Sequence, residues 1–213
     1  MASVRSLNKQ KRRDRILAEA RNVIARDGFD ALNLRELAVC AGVSVPTIYN
    51  LIGCKEELLR MLVLGAFADF EKLMQQKPAV PVVKLPAKML DTLIEMIAGD
   101  EDYYRATFLA SERLEDERVM PGATGFRRPA LRRLAGKLFD EATQLELLRG
   151  EIAAGILVEQ ILASHDKAYR GWAHRMLTLQ EFRADSLRGF YVALAADAVE
   201  SFRKALIVEL NAL

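Results

Sequence analysis

The chain has 213 residues, 51% apolar and 28% charged, which is enough to bury a full core and excludes a disordered polymer. Six prolines and twelve glycines among abundant Ala, Leu, Glu and Arg point to an all-α chain. The net charge is only +2, but residues 1–60 carry 11 Lys and Arg against 7 Asp and Glu, so the basic excess lies at the N-terminal end.

That excess begins with Arg5, Lys9, Lys11, Arg12, Arg13, Arg15 and Arg21, opposed by Asp14 and Glu19. A basic arm on a near-neutral body fits a protein that touches phosphates at one end. The spacing predicts a first helix over 10–27, with Ile16, Leu17, Ala20, Val23 and Ile24 on its apolar side. Gly28 is placed to stop it, and Phe29 and Leu32 plug the connection. Asn33 then caps a short second helix whose buried side is Leu34, Leu37, Ala38 and Ala41. Gly42 turns the chain, Val43 packs under the turn, and Ser44 caps a third helix from Val45 to Leu51 with Pro46 in its first turn. After Gly53, a long helix is predicted over 55–76, opened by Glu56 and Glu57.

Pro78, Pro81 and Pro86 mark a loop, and helices are expected over 87–98, 101–115, 127–144, 151–171 and 181–210. Pro121, Gly122 and Gly125 mark another loop, preceded by an acidic run at Glu112, Glu115, Asp116 and Glu117 that reads as a solvated face. No apolar h-region follows the basic N-terminus, and charges interrupt every apolar stretch well short of bilayer length. A cytoplasmic protein with no membrane partner is expected. Cys40 and Cys54 lack metal or disulfide-framework spacing, and His165 and His174, near Asp166, lack a third ligand. The expectation is no metal, no cofactor and, without paired carboxylates, a nucleophile elbow or a Gly-rich phosphate loop, no enzyme.

The informative segment is 35–59. Two short helices about a Gly-containing turn make a helix-turn-helix, with Ala38 small at the crossing and Ile48 filling the small core. Its motifs, Leu37-Ala38, Ala41-Gly42-Val43-Ser44, Thr47-Ile48-Tyr49 and Lys55-Glu56-Glu57-Leu58-Leu59, resemble those of the TetR family of transcriptional regulators over roughly residues 10–60. The resemblance implies an N-terminal three-helix DNA-binding domain with helix-turn-helix, at 1–54 with its basic arm, followed by a helical ligand-binding and dimerisation domain at 55–213. It also implies that Thr47 and Tyr49 contact the DNA backbone and that Lys55 contacts a phosphate. Ser44, as the cap of the recognition helix, lies in the same surface. Val45, Pro46 and Asn50 occupy positions that reach base edges, and Asn can pair with adenine in a bidentate way. Arg35 and the arm residues Arg12, Arg13 and Arg15 are expected at phosphates or the minor groove. The departures are Leu51 and Ile52, where the family often has His and Phe, and Cys54, where it commonly has a Ser cap.

In the same family the last two long helices pair with their copies. That implies a homodimer through Ile152, Ile156, Leu187, Phe190, Tyr191, Leu194, Ala198 and Phe202. Two half-operators each need a recognition helix, which independently favours a dimer. The family also commonly holds an apolar pocket, for which Met96, Tyr103, Tyr104, Phe108, Phe139 and Trp172 are the candidate lining. The expected function is a dimeric repressor of double-stranded operator DNA, released by a small apolar or amphipathic ligand. Control by a protein partner instead of a ligand is the alternative, and a helical enzyme or scaffold with a vestigial helix-turn-helix is a third reading.

Overall fold

A computed structural model describes residues 4–115 and 127–213. The expected loop at Pro121, Gly122 and Gly125, with Asp116 and Glu117, lies outside the described residues. Ten α-helices account for most of the described chain: α1 Val4–Ala31, α2 Leu34–Cys40, α3 Val45–Leu51, α4 Lys55–Gln76, α5 Leu85–Ala98, α6 Glu101–Glu115, α7 Arg127–Gln144, α8 Ala154–Ala173, α9 Leu179–Asp197 and α10 Glu200–Asn211. A short 3-10 turn, Val82–Lys84, precedes α5. The described residues contain no strand, only an isolated bridge between Leu148 and Ala198.

The described residues divide into two compact units, one of residues 4–67 with 99–115 and one of 68–98 with 127–213. In the first, Ile16, Ala20 and Ile24 are fully buried one helical turn apart, and α6 packs along α1. The helical run of α1 starts six residues before the predicted helix and is broken at Gly28 (φ 82°, ψ 166°), where the sequence places a stop. Phe29 and Leu32 behind it are buried, as are Leu37, Ala38, Ala41, Ile48 and Ile52 of the helix-turn-helix.

The core of the second unit is built mainly by α5, α7, α8 and α9, with α10 adding Phe202 and Leu206. The crossing of α8 and α9 is close: a Cβ on Gly189 would stand 2.4 Å from the Ser164 Cβ. An aromatic cluster closes one end, with Tyr169 stacked on Phe182 at 5.1 Å and Trp172 at 5.4 Å from Tyr169.

Two expectations are corrected here. The predicted single helix over 181–210 is two helices, separated at Ala198 and Val199, which are extended (ψ 145° and 157°). Neither a proline nor a glycine stands there. Hydrogen bonds to a distant loop make the break: Val199 N–H donates to the Leu147 carbonyl at 3.0 Å and Arg149 N–H to the Asp197 carbonyl at 2.7 Å. The Asp197 carboxylate, 1% exposed, accepts from the N–H groups of Gly150, Glu151 and Ile152 at 2.9, 3.0 and 3.2 Å. The same loop delays α8, which starts at Ala154 and not at 151.

The second correction concerns the expected dimer residues. Leu187, Phe190, Tyr191, Leu194, Ala198 and Phe202 are all buried inside the chain's own core, so their side chains are already covered. Ile152 is half-buried, and Ile156 alone of the eight is well exposed. A three-four apolar stripe marks a buried face without saying whether the cover is the same chain or a second one.

Candidate nucleic-acid interface

The helix-turn-helix is fixed by local chemistry. The Asn33 carboxamide oxygen accepts from Arg35 N–H at 2.8 Å and starts α2. Gly42 holds φ at 58°, the left-handed region, and its carbonyl accepts from Arg15 Nη2 at 3.2 Å. Val43 N–H donates back to the Ala38 carbonyl at 2.9 Å, which closes the turn. The Ser44 hydroxyl then caps α3, accepting from Thr47 N–H at 3.4 Å and lying 2.8 Å from the Thr47 hydroxyl.

These constraints orient α3. Ile48 faces inward at 0% exposure, while Tyr49 is 57% exposed and Pro46 and Asn50 are exposed beside it. Ser44 and Arg35 are also exposed, and Val45, Thr47 and Lys55 are partly so. All eight residues expected at DNA therefore keep accessible surface on the first unit. Ile52, where the family often has Phe, still fills the core at 8% exposure.

The arm is part of α1, and two of its cations bond the backbone of the helix-turn-helix, Arg13 half-buried and Arg15 exposed. Arg13 Nη2 donates to the Leu51 carbonyl at 3.0 Å, at the C-terminal end of α3, where the helix dipole favours a positive charge. Arg15 holds the turn at Gly42. These two guanidiniums brace the recognition helix, each through one backbone carbonyl. Arg12 is exposed.

Lys55 opens α4. Its Nζ donates to the Asp30 carbonyl at 3.0 Å and stands 4.8 Å from the Phe29 ring centroid. Beside it, the hydrogen bond from the Cys54 thiol holds the Glu56 carboxyl below its usual range. Cys54 and Cys40 are exposed free thiols. Among the described residues, no group of three or more His, Cys, Asp or Glu is placed to hold a metal ion, and no helix is long and apolar enough to cross a membrane.

Of the six residues expected to line a pocket, three belong to each unit. Tyr103, Tyr104 and Phe108 belong to the first unit, where they are buried. The Arg21 guanidinium lies 4.3 Å over the Tyr103 ring and bonds Asp100 at 2.9 Å. Burial pushes the Tyr103 hydroxyl up to about 12, against the pull of Arg21. Phe139 and Trp172 are fully buried in the second unit, and Met96 is half-buried there. These aromatics act as core. The second unit instead has a groove of about 230 Å³ between α4, α5 and α7, lined by Phe70, Met74, Met89, Leu134 and Leu138 with Glu71 and Lys137 at its edge. None of the six lines it. Soft Met side chains carry no periodic signature that separates lining from filler.

A short helix braced at both ends, presenting Tyr49 and Asn50 outward from a glycine turn, defines a helix-turn-helix. Residues 16–62 match the family model described as bacterial regulatory proteins, tetR family. The similar solved structures carry the same fold. SmeT of Stenotrophomonas maltophilia, described as the repressor of the multidrug efflux pump SmeDEF, is 18% identical with a TM-score of 0.64, over 89% of this chain and 92% of that one. A putative TetR-family regulator from Rhodococcus sp. is 17% identical with a TM-score of 0.68, over 87% and 99%. FadR of Bacillus halodurans, described as a fatty acid degradation regulator, is 19% identical with a TM-score of 0.64, over 85% and 94%. No curated protein matches the chain in sequence. Residues 16–62 are thus similar to the tetR family's helix-turn-helix, and the fold of the chain is that of these solved structures.

Proposed function

We propose that this chain is a dimeric repressor that binds double-stranded operator DNA through α3 and leaves it when a small, largely apolar ligand binds. The observation that carries the reading is the outward face of α3, with Tyr49 57% exposed and Asn50 beside it while Ile48 is fully buried. Asn50 reads a base edge. Tyr49, Thr47, Ser44, Arg35 and Lys55 position the helix on the backbone, and Val45 and Pro46 offer apolar contact to a thymine methyl. The division of labour falls at 54/55, with DNA contact before it and at Lys55, which opens the next helix, and ligand and dimer functions after it.

The dimer face is the exposed side of α8 and α9. It carries Ile156, Gln160, Ala163 and Lys167 on one helix and Asp185, Arg188, Val192 and Ala196 on the other, each at three-four spacing, with Ile156 64% and Val192 55% exposed. The groove beside Phe70, Met74 and Met89 offers room for an apolar ligand.

Fluorescence anisotropy with DNA flanking its own gene, against a scrambled duplex over a salt series, tests the DNA reading. Selective binding that weakens with salt is expected, and Asn50→Ala should cost about ten- to a hundredfold in affinity for the selected duplex. No binding to either duplex at low salt would overturn it. With binding in hand, apolar compounds that leave operator affinity unchanged would favour control by a protein partner.

A further inference from the structure

Asp30 is the meeting point of two cations from different helices. Its carbonyl accepts from Lys55 of α4 at 3.0 Å, and its carboxylate takes both Nη groups of Arg113 of α6 at 3.0 Å. The fork geometry is the strong form of this pair. Arg113 holds the Asp30 carboxyl below the usual carboxylate range, with Lys55 adding to the effect through charge alone. The carboxylate is therefore close enough to feel Lys55 but is committed to Arg113. The other end of α6 is tied to the same helix, by Asp100 to Arg21 at 2.9 Å. From Asp100 to Arg113 is about 20 Å of helix, so α6 lies along α1 as a bar fastened near both ends.

We propose that Arg113 is a positioning residue for DNA binding: by occupying the Asp30 carboxylate, it leaves the Lys55 ammonium available to a DNA phosphate. Asp30 is exposed, so with Arg113 removed its carboxylate turns to the other cation that acts on it, Lys55. One phosphate contact is then neutralised from within. A shift of α6 that parts Arg113 from Asp30 has the same effect, which makes the pair a point where α6 reaches the DNA surface. The inference rests on the reading of Lys55 as a phosphate contact.

The probe is a fluorescein-labelled duplex from DNA flanking the gene, titrated over a salt series, with circular dichroism on every variant. Arg113→Gln should weaken binding by up to about fivefold at low salt and flatten the salt slope by about 0.9, the loss of one phosphate. Asp30→Asn should bind as well as wild type, and the double variant Asp30→Asn/Arg113→Gln should recover both affinity and slope. Arg113→Lys, which keeps the charge, should bind like wild type. If the pair only props up the fold, Asp30→Asn weakens binding as Arg113→Gln does and the double variant is no better, which overturns the proposal. Wild-type behaviour of Arg113→Gln also overturns it. Lys55→Ala separates the two levels. An unchanged slope in Lys55→Ala sinks the phosphate reading itself, whereas a flattened slope there with none in Arg113→Gln sinks the role of Arg113 alone.

Discussion

The two compact units are held by hydrogen bonds of very different reach. In the first, the bonds that start the two short helices of the recognition element span two or three residues, Asn33 to Arg35 and Ser44 to Thr47, about a glycine at φ 58°, and longer bonds from Arg13 and Arg15 only brace the result. In the second, the deciding bonds span 45 to 47 residues, from Asp197 to the N–H groups of 150–152. A locally determined element keeps its shape while its outer face varies freely, which suits a surface that reads DNA. An element broken by a distant loop depends on the whole core around it.

The largest expected effect tests that dependence. Asp197→Ala strands three backbone N–H groups, so a loss of about 3–5 kcal/mol in urea unfolding is expected, against about 1 kcal/mol for Asn33→Ala at the local cap. A loss equal to that of Asn33→Ala would show that water replaces the carboxylate and would erase the contrast. Next in size is a pair of glycines in the second unit. Gly189→Ala drives a Cβ into Ser164 and should cost about 1–3 kcal/mol, whereas Gly136→Ala, with nothing within 4 Å, should gain about 0.5–1 kcal/mol. Equal thermal shifts for the two would mean that the α8–α9 crossing yields easily.

The smallest effect compares the units by pH. Burial pushes both Tyr103 of the first unit and Tyr191 of the second up to about 12 from the ordinary 10.0. The folded chain thus keeps these protons where the unfolded chain has lost them. Their contribution is complete below pH 10 and falls as pH rises towards 12. Tyr103→Phe and Tyr191→Phe should each flatten the decline of the melting temperature over that window, and a decline unchanged in both would assign it elsewhere.

The reach of these bonds also explains what could be read from the sequence. Helix α3 begins and ends where Ser44 and Gly53 place it, and α4 begins just after Gly53, because the signals are local. The face of α3 follows from the single inward Ile48. The break at Ala198 could not be read, since residues 181–210 keep an unbroken helical period and the cause lies in the 147–152 loop. Leu187, Phe190 and Leu194 could not be told from interface residues, because a core and a dimer contact ask for the same stripe. Nor could Arg13 and Arg15 be separated from Arg12, since charge alone does not say which way a guanidinium points.

The direction in which the arm's guanidiniums point changes what an electrostatic measurement on this chain means. Of the seven cations in the first 21 residues, Arg13, Arg15 and Arg21 are bonded to the protein itself. The counterions released on binding DNA will be fewer than the arm's formal charge suggests. Shortening the arm past residue 13 would do more than remove charge. It would untie the end of the recognition helix from the helix beneath it, and a loss of affinity would then report lost rigidity as much as lost attraction.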